Sequence, residues 1–327
     1  MKRKARYYPL ERGHYEVGPG LRPLGFDFGN ADLDKKVFQI EDDHQRFRVN
    51  KEVGRRERLG KYHLQQALPN RVEAALVAWL LDHLPREWPE YFSRTVLGDR
   101  IRLSAHHLSE NLECDINGKL LSYQGPLVPP PQEALEALGL MLPEDFSIVI
   151  KEGDLDRLAL LHLFAPSHWS AEEKIGLDFK AVHRPVAGSE RLLKSSASLV
   201  EAMITKGPFV RFVWSFVTDD RLNHHPDPPP GFDLAAWRGR TFDASRECPF
   251  LLRVERQVLT PFARVSAALF SIKISFWTAT EIIQDSERRR LLLATLRSMT
   301  PEALQYKGLS GCAPDLIAWL ESANVSS

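Results

Sequence analysis

A histidine at position 183 stands between a valine and an Arg-Pro pair, fifteen residues after His168, in the stretch HWSAEEKIGLDFKAVHRPV (168–186). Proline has no amide N–H and a fixed φ, so Pro185 stiffens the backbone just past the ring. A packed core helix has no need of that arrangement. An imidazole that must be aimed at a metal or a haem iron does, and neutral imidazole is a standard axial ligand.

The chain's other histidines have plainer contexts, although it holds eleven in all. His106 and His107 fall on adjacent positions of an expected strand, where they would face opposite sides and could not chelate together. His224 and His225 sit in a proline-rich loop, HHPDPPPGFD (224–233), and are expected to be solvated. His162 lies inside LALLHLF (158–164) and reads as a satisfied core histidine.

A second constellation is LLRVERQVL (251–259). Side chains alternate along a strand, so Arg253, Glu255 and Gln257 share one face while Val254, Arg256 and Val258 share the other. A wholly polar face on a central strand is either a solvated surface with a local Arg–Glu pair or the lining of a ligand cavity. In a cavity, a guanidinium could meet a propionate and the carboxylate a substrate cation. In VRFVWSF (210–216), Arg211 and Trp214 are three apart and so face opposite sides.

Other chemistries lack their signatures. There is no HExxH, GxSxG elbow, GxGxxG turn or phosphate-binding GxxxxGK[ST]. Three scattered cysteines cannot build a four-thiolate cluster or zinc ribbon, and they suit a reducing cytoplasm. Electrons for any redox step must therefore come from another protein. The 43 Lys+Arg balance 43 Asp+Glu, which removes the electrostatic case for nucleic acid. The start MKRKAR has no apolar leader behind it, so it reads as a solvated tail rather than a signal peptide. The apolar run AALVAWLLDHL (74–84) is too short to span a bilayer.

The elements that must position these residues follow from patterning. With 327 residues, 43% of them apolar, the chain can bury a substantial core. Residues 1–58 read as mostly irregular, and a helical pattern runs from Lys61 to Leu84 with a break at Pro69-Asn70. Residues 101–123 alternate as strands around the hairpin signal Asn117-Gly118, ahead of the stiff connector GPLVPPPQ (125–132) and a helix near 132–140. Two strands over 144–166, helical pieces over 168–206 with a Ser170–Glu173 capping box, and strands at 208–217, 249–262 and 264–277 come next. Helices over 280–299 and 313–323 close the chain. The fold class expected is α+β: a PAS-like five-stranded antiparallel sheet with helices over one face in 141–279. An N-terminal helical and hairpin region (1–140) and C-terminal helices (280–327) complete the organisation.

Seven short stretches then carry a resemblance, in order: ED-F (144–146), PSHWSAEEKIG (166–176), VHRPV (182–186), RFVW (211–214), LRVERQVL (252–259), ALFSIKISF (268–276) and YKGL (306–309). Together they resemble the haem-dependent oxidative N-demethylase family. The resemblance implies a PAS-like fold holding haem b through His183, with Trp169, Lys174, Arg211, Trp214, Arg253 and Arg256 as cofactor-binding candidates and Glu255 as catalytic candidate. It implies a cytoplasmic monooxygenase subunit that uses dioxygen on a small methylated amine and releases formaldehyde. Electrons would come from NADPH through a separate flavin and iron–sulfur reductase. Two positions depart from the pattern: Val213 stands where the family has Asn, and Ala187 where it has Pro. A non-catalytic haem sensor or a scaffold that has lost haem is the alternative.

Overall fold

A computed structural model of the chain describes residues 4–234, 237 and 242–322. Its centre is a seven-stranded antiparallel sheet in the order β1-β9-β10-β11-β7-β8-β2. The longest strands are β10 (Leu251–Phe262) and β11 (Ala267–Thr278), paired along all twelve positions. β9 (Phe209–Val217), β7 (Asp145–Glu152) and β8 (Leu155–His162) flank them. Two short N-terminal strands, β1 (Arg22–Pro23) and β2 (His63–Gln65), form the edges. A second antiparallel sheet holds β3 (Phe92–Leu97), β4 (Arg100–Ala105), β5 (Glu110–Asp115) and β6 (Leu120–Gln124) in sequential order. The turn between β5 and β6 carries Gly118 at φ 81°, as the Asn-Gly signal required.

Both faces of the large sheet are covered, which is why β10 alternates so weakly between apolar and polar. One face packs on α2 (Asn70–Glu87) and α3 (Ala134–Met141) through Ile148, Leu160, Val258 and Leu269. The same face continues, through Val254, Leu252 and Trp214, under the C-terminal helices α8 (Ala279–Ile283), α9 (Ser286–Arg297), α10 (Pro301–Tyr306) and α11 (Ala313–Ser322). Short helices between β8 and β9 cover the opposite face: α4 (Ala171–Lys174), α5 (Phe179–His183), α6 (Glu190–Lys194) and α7 (Ser196–Thr205). Val200, Met203 and Ile204 of α7 pack there on Val149, Leu259 and Ala268. Residue 323, at the end of the last expected helix, lies outside the described residues.

The N-terminal region is more ordered than the sequence suggested. α1 (His44–Tyr62) begins inside the segment read as irregular. Its apolar pattern misleads because the helix is turned against it: Val49 and Val53 are 47% and 49% exposed, while Lys51 is 1% exposed. The buried face is a row of cations. Arg48 pairs with Glu110 of β5, Lys51 Nζ lies 3.6 Å from Asp145 of β7, and Arg55 Nε is 2.8 Å from Glu136 of α3. Nor is the start a solvated tail throughout, although residues 1–3 lie outside the described residues. The amide of Ala5 donates to Glu41 and the Arg6 guanidinium lies over Trp277. His106 and His107 occupy a short 3₁₀ turn, 106–108, not a strand, with His107 packed against Tyr91 and His44. Among the described residues no helix is long and apolar enough to cross a membrane.

Burial pulls the Lys51 ammonium down to about 8, with Asp145 resisting. Its Nζ also donates to the carbonyls of Gly139 and Glu144. Replacing Lys51 with Met should lower unfolding stability by about 3–5 kcal/mol, because a buried ion pair loses one partner. The exposed Val49→Ala should stay within ~0.5 kcal/mol. Urea denaturation of both variants measures this, and a loss below ~1 kcal/mol for Lys51→Met would show that the pair is dispensable.

Candidate functional site

His183 ends α5, a helix held at both ends. The Asp178 carboxylate caps it by accepting from Ala181 N at 2.6 Å, and Phe179 N donates to Asp156 of β8 at 2.7 Å. The Lys174 ammonium ties the end of α4 to α5 by donating to Val182 O at 3.2 Å. Pro185 then denies the helix its next amide donor.

Within this frame the imidazole is fixed. Its Nδ1–H donates to Phe179 O at 2.8 Å, and the ring stacks on Phe179 with centroids 4.1 Å apart. A carbonyl can only accept, so the proton is on Nδ1 and Nε2 keeps its lone pair. Nε2 has no hydrogen-bond partner among the described residues. Burial, with smaller contributions from Arg211 and Lys174, lowers the ring's pKa to about 4, so it is neutral near pH 7.

The register shows which residues share a face under α5 and α7. Leu259 packs on α7, and Gln257, Glu255 and Arg253 follow at alternate positions of β10. Opposite Gln257, Glu255 and Arg253 stand Arg211, Val213 and Ser215 of β9, and Ile272, Ile274 and Phe276 of β11. Arg211 makes no hydrogen bond through Nε, and burial lowers its pKa, with Glu255 the nearby charge that resists. The Glu255 carboxylate accepts from Gln257 Nε2 at 3.0 Å and forms no ion pair among the described residues. Trp169 packs beside Leu161 and Leu163 at the β8 side of this face.

The other expected site residues are placed elsewhere or already engaged. Arg256 projects to the far face, where it donates to the carbonyls of Lys36 and Val37. Trp214 also lies on the far face, under the Lys307 ammonium at 4.6 Å. Arg253 shares the face of Glu255 but is wholly buried, with NH1 donating to Leu222 O at 2.8 Å and NH2 to Ala165 O at 2.5 Å. It staples two loops to the sheet.

One of those loops overturns an expectation. His224 and His225 are 1% and 2% exposed, not solvated. His224 Nε2 lies 3.0 Å from Asp219, its Nδ1 3.4 Å from Arg253 NH1, and its ring 5.2 Å from His168. Ser167 and Ser215 are linked through their hydroxyls at 3.3 Å. Sequence reading missed this Asp219–His224–Arg253 connection, because its members lie on separate segments and the prolines after His225 mark only the outer part of the loop. His162 is the core histidine expected, stacked on Phe146 and bonded through Nδ1 to His63 at 3.0 Å.

The neutral state of His183 has a measurable consequence. Its folded pKa lies below the ordinary 6.5, so the unfolded chain takes up this proton first as pH falls. The stability gained by burying the neutral ring is present above about 6.5 and lost as pH falls through about 4. His183→Phe should therefore flatten the decline of the urea midpoint across that window. It should not abolish the decline, because His44 is also held down, to about 3. An unchanged slope would mean that the ring ionises freely in the folded chain.

One oriented neutral imidazole and an unspent guanidinium on the facing strand fit a prosthetic group that needs an axial nitrogen and carries carboxylates. The family comparison points the same way: the model described as haem-dependent oxidative N-demethylase, alpha subunit-like, matches residues 31–317, and the chain belongs to that family.

Proposed function

We propose that the space between the α4–α7 segment and the sheet is a haem b pocket within a PAS-like core, residues 141–279. The chain then acts as the catalytic monooxygenase subunit for a small methylated amine. The observation that carries this reading is His183, whose Nδ1–H is spent on Phe179 O so that Nε2 is left for iron. The strand order β9-β10-β11-β7-β8 beneath short helices supports the PAS-like reading. Haem bound there would supply the iron at which dioxygen is activated to oxidise the N-methyl carbon.

The chain's own residues supply the rest. Arg211 is the cation best placed to pair with a propionate, since Arg253 is committed to carbonyls and Arg256 faces away. Trp169 and Lys174 hold the helical wall. Glu255 receives the substrate ammonium, whose charge is costly to desolvate in an apolar cleft unless a carboxylate meets it. The overall change converts methylated amine, dioxygen, two electrons and two protons into demethylated amine, formaldehyde and water. The electrons come from NADPH through a separate flavin and iron–sulfur reductase, consistent with a family named for an alpha subunit.

His183→Ala should purify with little haem or with an altered spin-state spectrum; an unchanged Soret band and stoichiometry would remove His183 as ligand. Glu255→Gln should weaken amine binding about tenfold to a hundredfold while haem content stays normal, matching ~1.5–3 kcal/mol for a hydrogen bond to a charged group. A stability loss with unaltered amine affinity would make Glu255 structural. The haem-loaded chain alone should not oxidise NADPH, and steady turnover without a reductase would defeat the assigned electron route.

A further inference from the structure

The segment that carries His183 also has an outward side. Residues 179–194, FKAVHRPVAGSERLLK, hold four cations, Lys180, Arg184, Arg191 and Lys194, and one acid, Glu190, in a chain with as many acids as cations. All four cations are exposed. Lys180 of α5 and Arg184 at its C-cap stand one turn apart, Arg191 and Lys194 do the same on α6, and the two helices pack together. Elsewhere on the surface cations commonly face an acid: Arg58 meets Glu172 at 2.8 Å, Lys151 meets Glu201 at 2.7 Å and Arg157 meets Glu152 at 2.7 Å. The four on α5 and α6 form no ion pair among the described residues. The acids just before α5 are engaged with backbone, Glu173 accepting from Ser170 N and Asp178 from Ala181 N.

This patch backs directly onto the site. Phe179 packs toward the sheet and the His183 ring stacks on it, while Lys180 and Arg184 each follow one residue later on the outer stripe. An α-helix with its side chains is about 10–12 Å across, so a group docked on Lys180 and Arg184 is one helix thickness from the imidazole. Transient redox partners make small contacts and rely on complementary charge to bring their faces together. We infer that the outer face of α5 and α6 is the docking surface for the iron–sulfur electron donor, which presents an acidic face to Lys180, Arg184, Arg191 and Lys194. Each encounter moves one electron from the reduced cluster to the haem iron and leaves the cluster oxidised, so two encounters supply the two electrons of a turnover. The inference rests on the reading of His183 as the haem ligand.

The test uses the haem-loaded full chain, with an acidic plant-type two-iron ferredoxin as the probe. Stopped-flow haem reduction by reduced ferredoxin should slow at least about tenfold as salt rises, because screening removes the steering. Calorimetric affinity for the oxidised ferredoxin should weaken in parallel. The combined variant Lys180→Glu, Arg184→Glu, Arg191→Glu, Lys194→Glu should lose about tenfold or more of both at low salt, together with most of the salt dependence. Its haem content, and its reduction by the neutral donor photoreduced deazariboflavin, should match the unaltered chain. An equal charge reversal on the small-sheet side, Arg94→Glu, Arg100→Glu, Lys119→Glu, Arg264→Glu, should leave rate and affinity nearly intact, which separates the patch from net charge. If the first variant fails to load haem, Lys180→Gln with Arg191→Gln reads the same two quantities. Ferredoxin rate and affinity that are unchanged by the α5–α6 variants, or lowered equally by the distant reversal, overturn the docking surface while leaving His183 as ligand. Lost binding to anionic phospholipid vesicles with ferredoxin unaffected also overturns it. A chain that takes up no haem, or keeps an unchanged Soret band in His183→Ala, overturns the site and the inference with it.

Discussion

Three cations buried along one face of α1 tie that helix to three separate elements of the molecule. Arg48 reaches the small sheet, Lys51 the start of β7 and Arg55 the helix α3. Each is nearly removed from water, so each position is tolerable only while its carboxylate and carbonyl partners are in place. Because Asp145 also accepts from Ala165 N at 2.6 Å, the Lys51 contact extends to the loop that leads into α4. Arg253 holds that loop from the other side through Ala165 O. The loop leading into the helical wall that carries His183 is therefore positioned by buried charges from two sides.

This arrangement explains why the strands were legible and α1 was not. β7 and β8, the hairpin at Gly118 and the three long C-terminal strands are written in apolar or alternating runs separated by turn residues, and local pattern suffices to read them. The Ser170–Glu173 capping box is equally local, and both of its reciprocal hydrogen bonds form. α1 inverts the usual amphipathic rule: Val49 and Val53 face water, while Arg48, Lys51 and Arg55 face protein. No periodicity argument can recover that, because the partners Glu110, Glu136 and Asp145 lie tens of residues away. The edge strands β1 and β2 are two and three residues long, too short for any alternation to register.

The candidate site was legible to the extent that alternation decides a face. Placing Arg253, Glu255 and Gln257 together, and Arg211 opposite to Trp214, needed only the period of a strand. Which of the two faces of β10 meets α5 depends on tertiary packing, and this separates Arg211 from Arg256. Whether an arginine is spent depends on carbonyls contributed by loops, and this separates Arg211 from Arg253. The His224 environment was illegible for the same reason. Its loop looks solvent-exposed by composition, yet Asp219 and Arg253 hold His224 inside and His225 packs against Tyr62.

The tautomer of His183 follows from helix geometry rather than from a dedicated partner. In a helix the side chain points back toward the preceding turn, so a histidine at the last position can reach the carbonyl four residues earlier. That carbonyl belongs to Phe179, whose amide is anchored to Asp156 of β8 and whose ring supports the imidazole face. A longer helix would carry the ring past the sheet, and an uncapped one would let the turn fray. Asp178 before α5 and Pro185 after it limit the helix to a single turn. With Nδ1–H satisfied within that turn, Nε2 is the nitrogen left with a free lone pair. On the sheet face beneath, Arg211 and Glu255 contribute charge beside Val213 and Ile272.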